Sequence, residues 1–344
     1  MKAARLFGPG RLEVVEVPVP EIGEAEMLLR VRAASICGSD VRMYQNGYRQ
    51  VDADHPLTLG HEFAGDIVKT GSLVSGYEEG QRVSVAPNYG CGVCDHCVSG
   101  NTHLCRDYKA FGISVDGGFA EYVRIPAEVI RQGNVMILGP GVSYQEAALL
   151  EPLSCVYNGQ LLLNAPKGAS VLVIGMGPIG IMHIMVAKVF GAGRIYVSDL
   201  NQERLAKAQE LFPDVLPVKG DVMAALRGYG VAGVDVCIVA APAPGAQSAC
   251  LGYLNMNGKA LFFGGLPAGR ENVSLNSNLI HYNQLTIQGC TKQSVSEYRT
   301  CAKLVNDGRI PLHLVMSDEY AIEKFELALR NAVAARGLKH VIVF

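Results

Sequence analysis

The chain opens with short apolar runs separated by Gly and Pro. Runs such as Leu12 to Val17 and Met27 to Ala33 are rich in strand formers, and turn residues interrupt them at close intervals, which predicts a β-rich, barrel-like module over roughly the first 150 residues. From Ala169 the pattern changes. The stretch SVLVIGMGPIG is an apolar strand running into a Gly-rich turn, a helical run follows through Ala187, and RIYVSDL reads as the next strand, the start of a doubly wound α/β unit. Further apolar strands are predicted at Val234 to Ala240 and Ala260 to Gly264, with helical stretches between them, as a parallel sheet requires. That unit is expected to end near Gln288. Beyond it come helical stretches around Glu297 to Asn306 and Ile322 to Ala335, then a closing strand HVIVF. The expected class is α/β: a β-rich domain over 1–152, a doubly wound parallel-sheet domain over 153–288, and a tail over 289–344 that need not belong to the second.

At 344 residues the chain exceeds a usual single domain of about 100–150 residues, so two cores are expected. Hydrophobic residues make up 49% and charged ones 18%, enough apolar material for burial and too little charge for disorder. The formal net charge is -2 and no Lys/Arg run stands out. The electrostatic footprint of a nucleic-acid or anionic-membrane binder is missing, which leaves small molecules as the expected partners. The start MKAARLFGPGRLEVVEV has no long apolar h-region, and no run of about 18 uncharged apolar residues follows, so a cytoplasmic location is expected.

Ten cysteines would suggest a disulfide scaffold in a short secreted chain, but the length is wrong and four of them crowd into one segment. Cys155, Cys237, Cys250, Cys290 and Cys301 lie among apolar neighbours and read as small buried hydrophobes. Cys91, Cys94, Cys97 and Cys105 instead sit in CGVCDHCVSGNTHLC, where four thiolates can close around one ion. A tetrahedral zinc with four sulfur ligands has no open position, so it would hold the loop and do no chemistry. The spacing, and the absence of Pro after the last Cys, do not match the bacterial iron–sulfur run. His96 and His103 read as solvated loop residues, since four sulfurs already fill the shell.

Two more motifs bring a thiolate, an imidazole and carboxylates into play: ICGSD, ending at Asp40, and GHEFAG, starting at Gly60. Cys37 and His61 can hold zinc, Glu62 adjoins His61, and Glu151 occurs in LEPLSC. Three protein ligands and one exchangeable water make a Lewis acid able to polarise a carbonyl or acidify a bound alcohol. Hydride loss is far easier from an alkoxide than from an alcohol. Each of these residues alone is weak evidence; together they point to alcohol chemistry.

Gly175, Gly177 and Gly180, with Pro178 and Ile179 between the last two, form GMGPIG between a strand and a helix. That context is what a dinucleotide turn needs: a tight bend, close backbone approach to a pyrophosphate, and helix packed on strand. Asp199 ends the next strand, 199 − 180 = 19 positions on, where a carboxylate binds the ribose 2′-hydroxyl. The same charge would repel a 2′-phosphate, so NAD is expected over NADP. Arg204 could soften that preference by folding back.

The order CGSD, GHE, the cysteine loop, DGGFAEY at Asp116 to Tyr122, EPL and GMGPIG resembles the zinc-containing branch of the medium-chain dehydrogenases over nearly the whole chain. The resemblance implies a GroES-like catalytic domain, an inserted Rossmann domain, and a return of the C-terminus to the first. GHE together with Glu151-Pro152-Leu153 is similar to the sorbitol (polyol) dehydrogenases and their threonine and sugar-phosphate relatives. It implies zinc surrounded by Cys37, His61 and a glutamate at Glu62 or Glu151, one carboxylate reaching it through water. It also implies a proton-relay hydroxyl at Ser39. One departure stands out: several relatives carry histidine five residues after the ligand cysteine, where this chain has Arg42. A guanidinium is no neutral base near pH 7, so protons would leave through water or Glu62.

The expected activity is hydride transfer between NAD(H) and a secondary alcohol or ketone of a polyol, sugar alcohol or cyclitol. Tyr44, Tyr48, Phe111 and Lys292 are pocket candidates by resemblance, and a homotetramer or homodimer is implied the same way. Threonine 3-dehydrogenation and sugar-phosphate oxidation are the alternatives within enzymes. A non-catalytic nucleotide-binding relative is the alternative outside them.

Overall fold

The computed structural model describes residues 1–49 and 51–344. The chain divides into two compact units, Met1–Ser154 joined by Lys292–Phe344, and Cys155–Thr291.

The first unit is built on a seven-stranded sheet whose centre is Met27–Ser35. That strand pairs antiparallel with Phe63–Thr70, Tyr122–Ile125 and Lys339–Val343. Most of its residues are buried, as its nearly continuous apolar run requires. Its register against Phe63–Thr70 shifts between Leu28 and Leu29 and between Val31 and Ala33, the mark of bulges, which bend a strand and raise its local twist. The closing strand sets Val341 opposite Ser35 and Val343 opposite Ala33. Lys339 is thereby carried to the end of Met27–Ser35, where the Cys37 loop begins. Phe63, Phe119 and Phe325 fill the core beneath, Phe119 and Phe325 meeting edge to face at 4.8 Å.

Gly38–Asn46 is a helix inside this β-rich region, and the sequence pattern did not predict it. Asp40 starts it: its Oδ2 accepts from the Cys37 N–H at 2.8 Å, capping an otherwise orphan donor. Two parts of the tail also differ from expectation. Met316–Ala321 is a strand paired with the closing strand, hidden by its polar sequence. The predicted helix from Ile322 begins with a 3₁₀ turn, Ile322–Lys324, and is helical only over Phe325–Val333.

The second unit is a six-stranded parallel sheet in the order Leu216–Pro217, Ile195–Ser198, Val171–Ile174, Val234–Val239, Leu254–Phe262, Thr286–Gly289. Chain order reverses at Val171–Ile174, the switch point of a doubly wound sheet. Leu254–Phe262 begins six residues before the predicted Ala260, because Asn255, Asn257 and Lys259 obscure its apolar register. Of the scattered cysteines, Cys237, Cys250 and Cys301 are buried, whereas Cys155 and Cys290 are half-buried. Among the described residues no helix is long and apolar enough to cross a membrane.

Candidate metal centres and dinucleotide turn

The four loop sulfurs of Cys91, Cys94, Cys97 and Cys105 lie within 4.8 Å of one another. Cys91 and Cys97 are 4.0 Å apart, Cys94 and Cys105 3.7 Å. Sulfurs placed at about 2.3 Å around a tetrahedral zinc stand about 3.8 Å from each other, so the loop already has the spacing the ion needs. Close packing enforces it: a Cβ on Gly90 would stand 2.5 Å from the Cys97 sulfur, and the Gln132 amide clasps Gly90 through both its N–H and its carbonyl. Backbone N–H groups of Val93 and Cys94 bring the Cys91 thiol down to about 7, while burial pushes Cys97 up to about 12. His96 is exposed, as expected. His103 is buried, contrary to its reading as solvated, and burial lowers its pKa.

A second cluster gathers one ligand atom each from Cys37, His61 and Glu62 within 4.8 Å. Cys37 caps the helix Gly38–Asn46, and His61 and Glu62 immediately precede the strand Phe63–Thr70. Behind the imidazole, Asp40 is 1% exposed, and its Oδ1 lies 3.6 Å from His61 Nδ1. Among the described residues neither of these buried atoms has a hydrogen-bond partner. The carboxylate faces Nδ1 beyond hydrogen-bond distance, so it acts on the ring by its charge, which favours a proton on Nδ1 and leaves Nε2 as the nitrogen free to ligate. Burial by itself would lower the His61 pKa, but Asp40, then Cys37 and Glu151, hold it well above the usual histidine value. The concentration of acids calls for a cation, and the donor set fits zinc. Ser39 Oγ is 3.3 Å from His61 Nε2.

Glu62 is fully buried, and Lys339 answers it. The ammonium donates to Glu62 Oε1 at 2.6 Å and to the Ile36 carbonyl at 3.0 Å, and the Ser35 hydroxyl also donates to the carboxylate. Burial would lower the Lys339 pKa, yet Glu62 and Cys37 raise it above the ordinary lysine value. Lys339, Ser35 and the role of Asp40 were all missed from sequence. Asp40 had a signal in its spacing from Cys37; Lys339 had none. Glu151 stands on the first turn of Leu150–Leu163, 7% exposed, outside the three-residue cluster but close enough for its charge to act on His61.

The pocket candidates are dispersed. Tyr44 and Tyr48 are half-buried against the first core, Tyr48 beneath the Arg49 guanidinium at 4.9 Å. Phe111 is 1% exposed and packs edge-on to Phe63 at 5.4 Å; it belongs to the first core and also borders a cavity lined by Arg5, Thr58, Val115 and Asp116, whose lining does not include Cys37, His61 or Glu62. Lys292 lies over the Tyr108 ring at 3.6 Å and donates to the His103 carbonyl at 3.4 Å, which engages it with the cysteine loop. Arg42 is exposed, its guanidinium 3.9 Å from the place a Cβ on Gly38 would take.

In the second unit, Gly175 adopts φ +101° and Gly177 caps the helix Pro178–Val189, with Pro178 in its first turn. Ile179 follows Pro178 in that turn. A Cβ on Gly180 would meet the Gly175 carbonyl at 1.8 Å, so only glycine lets helix and turn close. Asp199 accepts from the Met176 N–H at 2.6 Å and the Asn201 N–H at 2.7 Å, which fastens its charge beside the turn. Arg204 does fold back: its Nη1 is 3.9 Å from the Cβ position of Gly177.

Comparisons with known proteins agree with this layout. Residues 23–133 match the alcohol dehydrogenase GroES-like domain, and residues 178–307 the zinc-binding dehydrogenase domain. The chain is 32% identical to a sorbitol dehydrogenase of Bacillus subtilis, over 97% of this chain and 94% of the relative. It is 34% identical to an L-threonine 3-dehydrogenase of Pyrococcus furiosus, over 96% and 94% respectively. A zinc-binding dehydrogenase of Sinorhizobium meliloti, solved with NADP, superposes with a TM-score of 0.90 at 30% identity, covering 100% of this chain and 99% of that one.

Proposed function

The chain belongs to the zinc-containing medium-chain dehydrogenases, which use a nicotinamide cofactor, and we propose that it transfers a hydride between NAD(H) and the secondary alcohol, or matching ketone, of a polyol, sugar alcohol or cyclitol. The observation that carries this reading is the Cys37–His61–Glu62 cluster, with Asp40 behind the imidazole and the Ser39 hydroxyl 3.3 Å from it. A zinc ion held by these residues would supply a Lewis acid for the alcohol oxygen.

The residues of the chain divide the remaining work. Asp40 keeps the proton of His61 on Nδ1, which leaves Nε2 as a ligand. Ser39 Oγ takes the substrate hydroxyl proton and passes it on. Glu62 is a poor onward acceptor, because Lys339 and Ser35 occupy its oxygens. Arg42 is a permanent cation and cannot accept a proton. The proton therefore leaves through solvent at the exposed end of the Gly38–Asn46 helix. Glu151 acts on the cluster by its charge or through a bridging water.

Asp199 supports NAD, since a ribose diol satisfies a carboxylate that a 2′-phosphate would repel. Arg204 weakens the discrimination by offering a cation beside the same turn. Threonine oxidation is a second reading, favoured by the 34% identity to a threonine dehydrogenase. Incubating the purified protein with NAD and a panel of polyols, cyclitols, sugar phosphates and threonine, and following absorbance of the reduced cofactor, separates the two. Turnover of threonine alone would end the polyol reading.

A further inference from the structure

The doubly wound unit buries a histidine that the Gly-rich turn does not need. His183 lies on Pro178–Val189 and is 0% exposed. The Gln160 amide nitrogen stands 3.1 Å from its Nδ1 and donates to its backbone carbonyl at 2.8 Å. An amide nitrogen only donates, so Nδ1 accepts and the ring proton sits on Nε2, a buried atom without a hydrogen-bond partner among the described residues. Burial brings the pKa down to about 3, which leaves the ring neutral. The remainder of that helix is apolar nearly all round, and a leucine here would spare the fold an unpaired donor.

The reason for the histidine lies in Phe263. The two rings meet edge to face, centroids 4.7 Å apart and planes at 90°. On another side, a Cβ on Gly159 would come within 3.3 Å of the phenyl ring. A planar ring set edge-on fixes the phenyl plane in a way a flexible aliphatic side chain does not. Phe263 is the first residue beyond the strand Leu254–Phe262, and its N–H and that of Gly264 both donate to the Val239 carbonyl, at 3.2 and 3.0 Å.

That location matters for the cofactor. In a doubly wound sheet the dinucleotide lies across the carboxyl ends of the strands, pyrophosphate at the helix N-terminus and the two nucleoside halves on opposite sides of the switch point. Asp199, at the end of Ile195–Ser198, marks the adenosine side. The nicotinamide half must then cross to the ends of Val234–Val239 and Leu254–Phe262, where Phe263 stands. We propose that His183 is a positioning residue for the nicotinamide half of the cofactor, acting by holding Phe263 and the backbone of Phe263–Gly264 in place. The proposal rests on the reading of this unit as the dinucleotide site.

Titrations of His183→Leu with NADH, by fluorescence, and with ADP-ribose, by competition, test it. ADP-ribose makes every contact of the adenosine and pyrophosphate half and none of the nicotinamide. The expected result is NADH affinity weakened about tenfold, the scale of one lost aromatic pair. ADP-ribose affinity should stay within about twofold and the melting midpoint should be unchanged or higher. Phe263→Leu should reproduce the pattern, and the double variant should be no weaker than either single one. Equal weakening of both ligands, or of neither, overturns the proposal, as does additivity in the double variant. Wild-type protein that binds neither ligand would instead overturn the dinucleotide reading beneath it.

Discussion

Replacing Lys339 by methionine keeps the length and most of the volume of the side chain and removes only its charge and donors. The ammonium lies 2.6 Å from Glu62 Oε1, and at an effective dielectric near 20 such a pair attracts by about 6 kcal/mol. Glu62 is 0% exposed, so the variant leaves a buried carboxylate supported by the Ser35 hydroxyl without a countercharge. Breaking a buried pair in this way costs about 3–5 kcal/mol, or a fall in melting midpoint of about 6–20 °C for a unit of this size. A divalent cation on Cys37, His61 and Glu62 would take over part of the neutralisation. The loss must then be smaller in zinc-loaded protein than in protein stripped at that site, and by linkage zinc must bind the variant more tightly by the same difference. A coupling of about 1–3 kcal/mol corresponds to about 5–150-fold in affinity. Competition against a chromophoric chelator, with the tetrathiolate ion left in place, reads the affinity, and melts of the two forms read the stability. Zinc affinity unchanged or weakened in Lys339→Met would refute the claim that lysine and cation share the charge of Glu62.

Cys37→Ser should lower kcat at least about 10³-fold, some 4 kcal/mol of barrier, while NADH affinity by fluorescence stays within about threefold; near-normal turnover would remove Cys37 from the chemistry and revive the non-catalytic alternative. Cys91→Ser should reduce metal content from two zinc ions per chain to one, by elemental analysis, and lower the melting midpoint by several degrees, because a structural zinc contributes directly to folding; wild-type stability would count against a structural ion. Asp199→Ala should narrow the preference for NAD over NADP by about 10–100-fold in kcat/KM, the worth of a charged hydrogen bond plus the relief of repulsion, and an unchanged ratio would exclude Asp199 from cofactor choice. His183 predicts an acid limb in stability: its pKa is about 3 when folded, from burial, against about 6.5 unfolded, so the unfolded chain gains a proton first as pH drops. Stability from this group is whole above about pH 6.5 and declines toward pH 3, by about 2 kcal/mol at pH 5; urea melts should show that limb in wild type, and finding it undiminished in His183→Leu would assign it elsewhere.

What could be read from the sequence, and what could not, follows from where the partners of each residue lie. The cysteine loop and the turn Gly175–Gly180 are local devices: every group that must cooperate is within a few residues, and the spacing itself is the signal. Cys37 and Glu62 stand 62 − 37 = 25 positions apart, and their cluster was legible only in part: each residue alone is weak evidence, the combination was suggestive, and the choice between Glu62 and Glu151 stayed open. Lys339 is 277 residues from Glu62. A lysine ahead of a closing apolar strand reads as a solvated charge until the pairing of Lys339–Val343 with Met27–Ser35 carries it inward. Phe111 shows the converse, since an aromatic near a site motif is equally at home in a core: its ring packs edge-on to Phe63, and the lining of the cavity it borders does not include Cys37, His61 or Glu62. His183 lies between these cases: a helix apolar nearly all round must be buried, so a histidine within it must be buried too, but its contact with Phe263 could not be read locally. The direct ligands of a metal are thus the more legible part of such a site and their counter-ions the less legible part. A ligand must have particular donor atoms, whereas a counter-ion need only arrive with the right charge, from any part of the chain that the sheet register delivers.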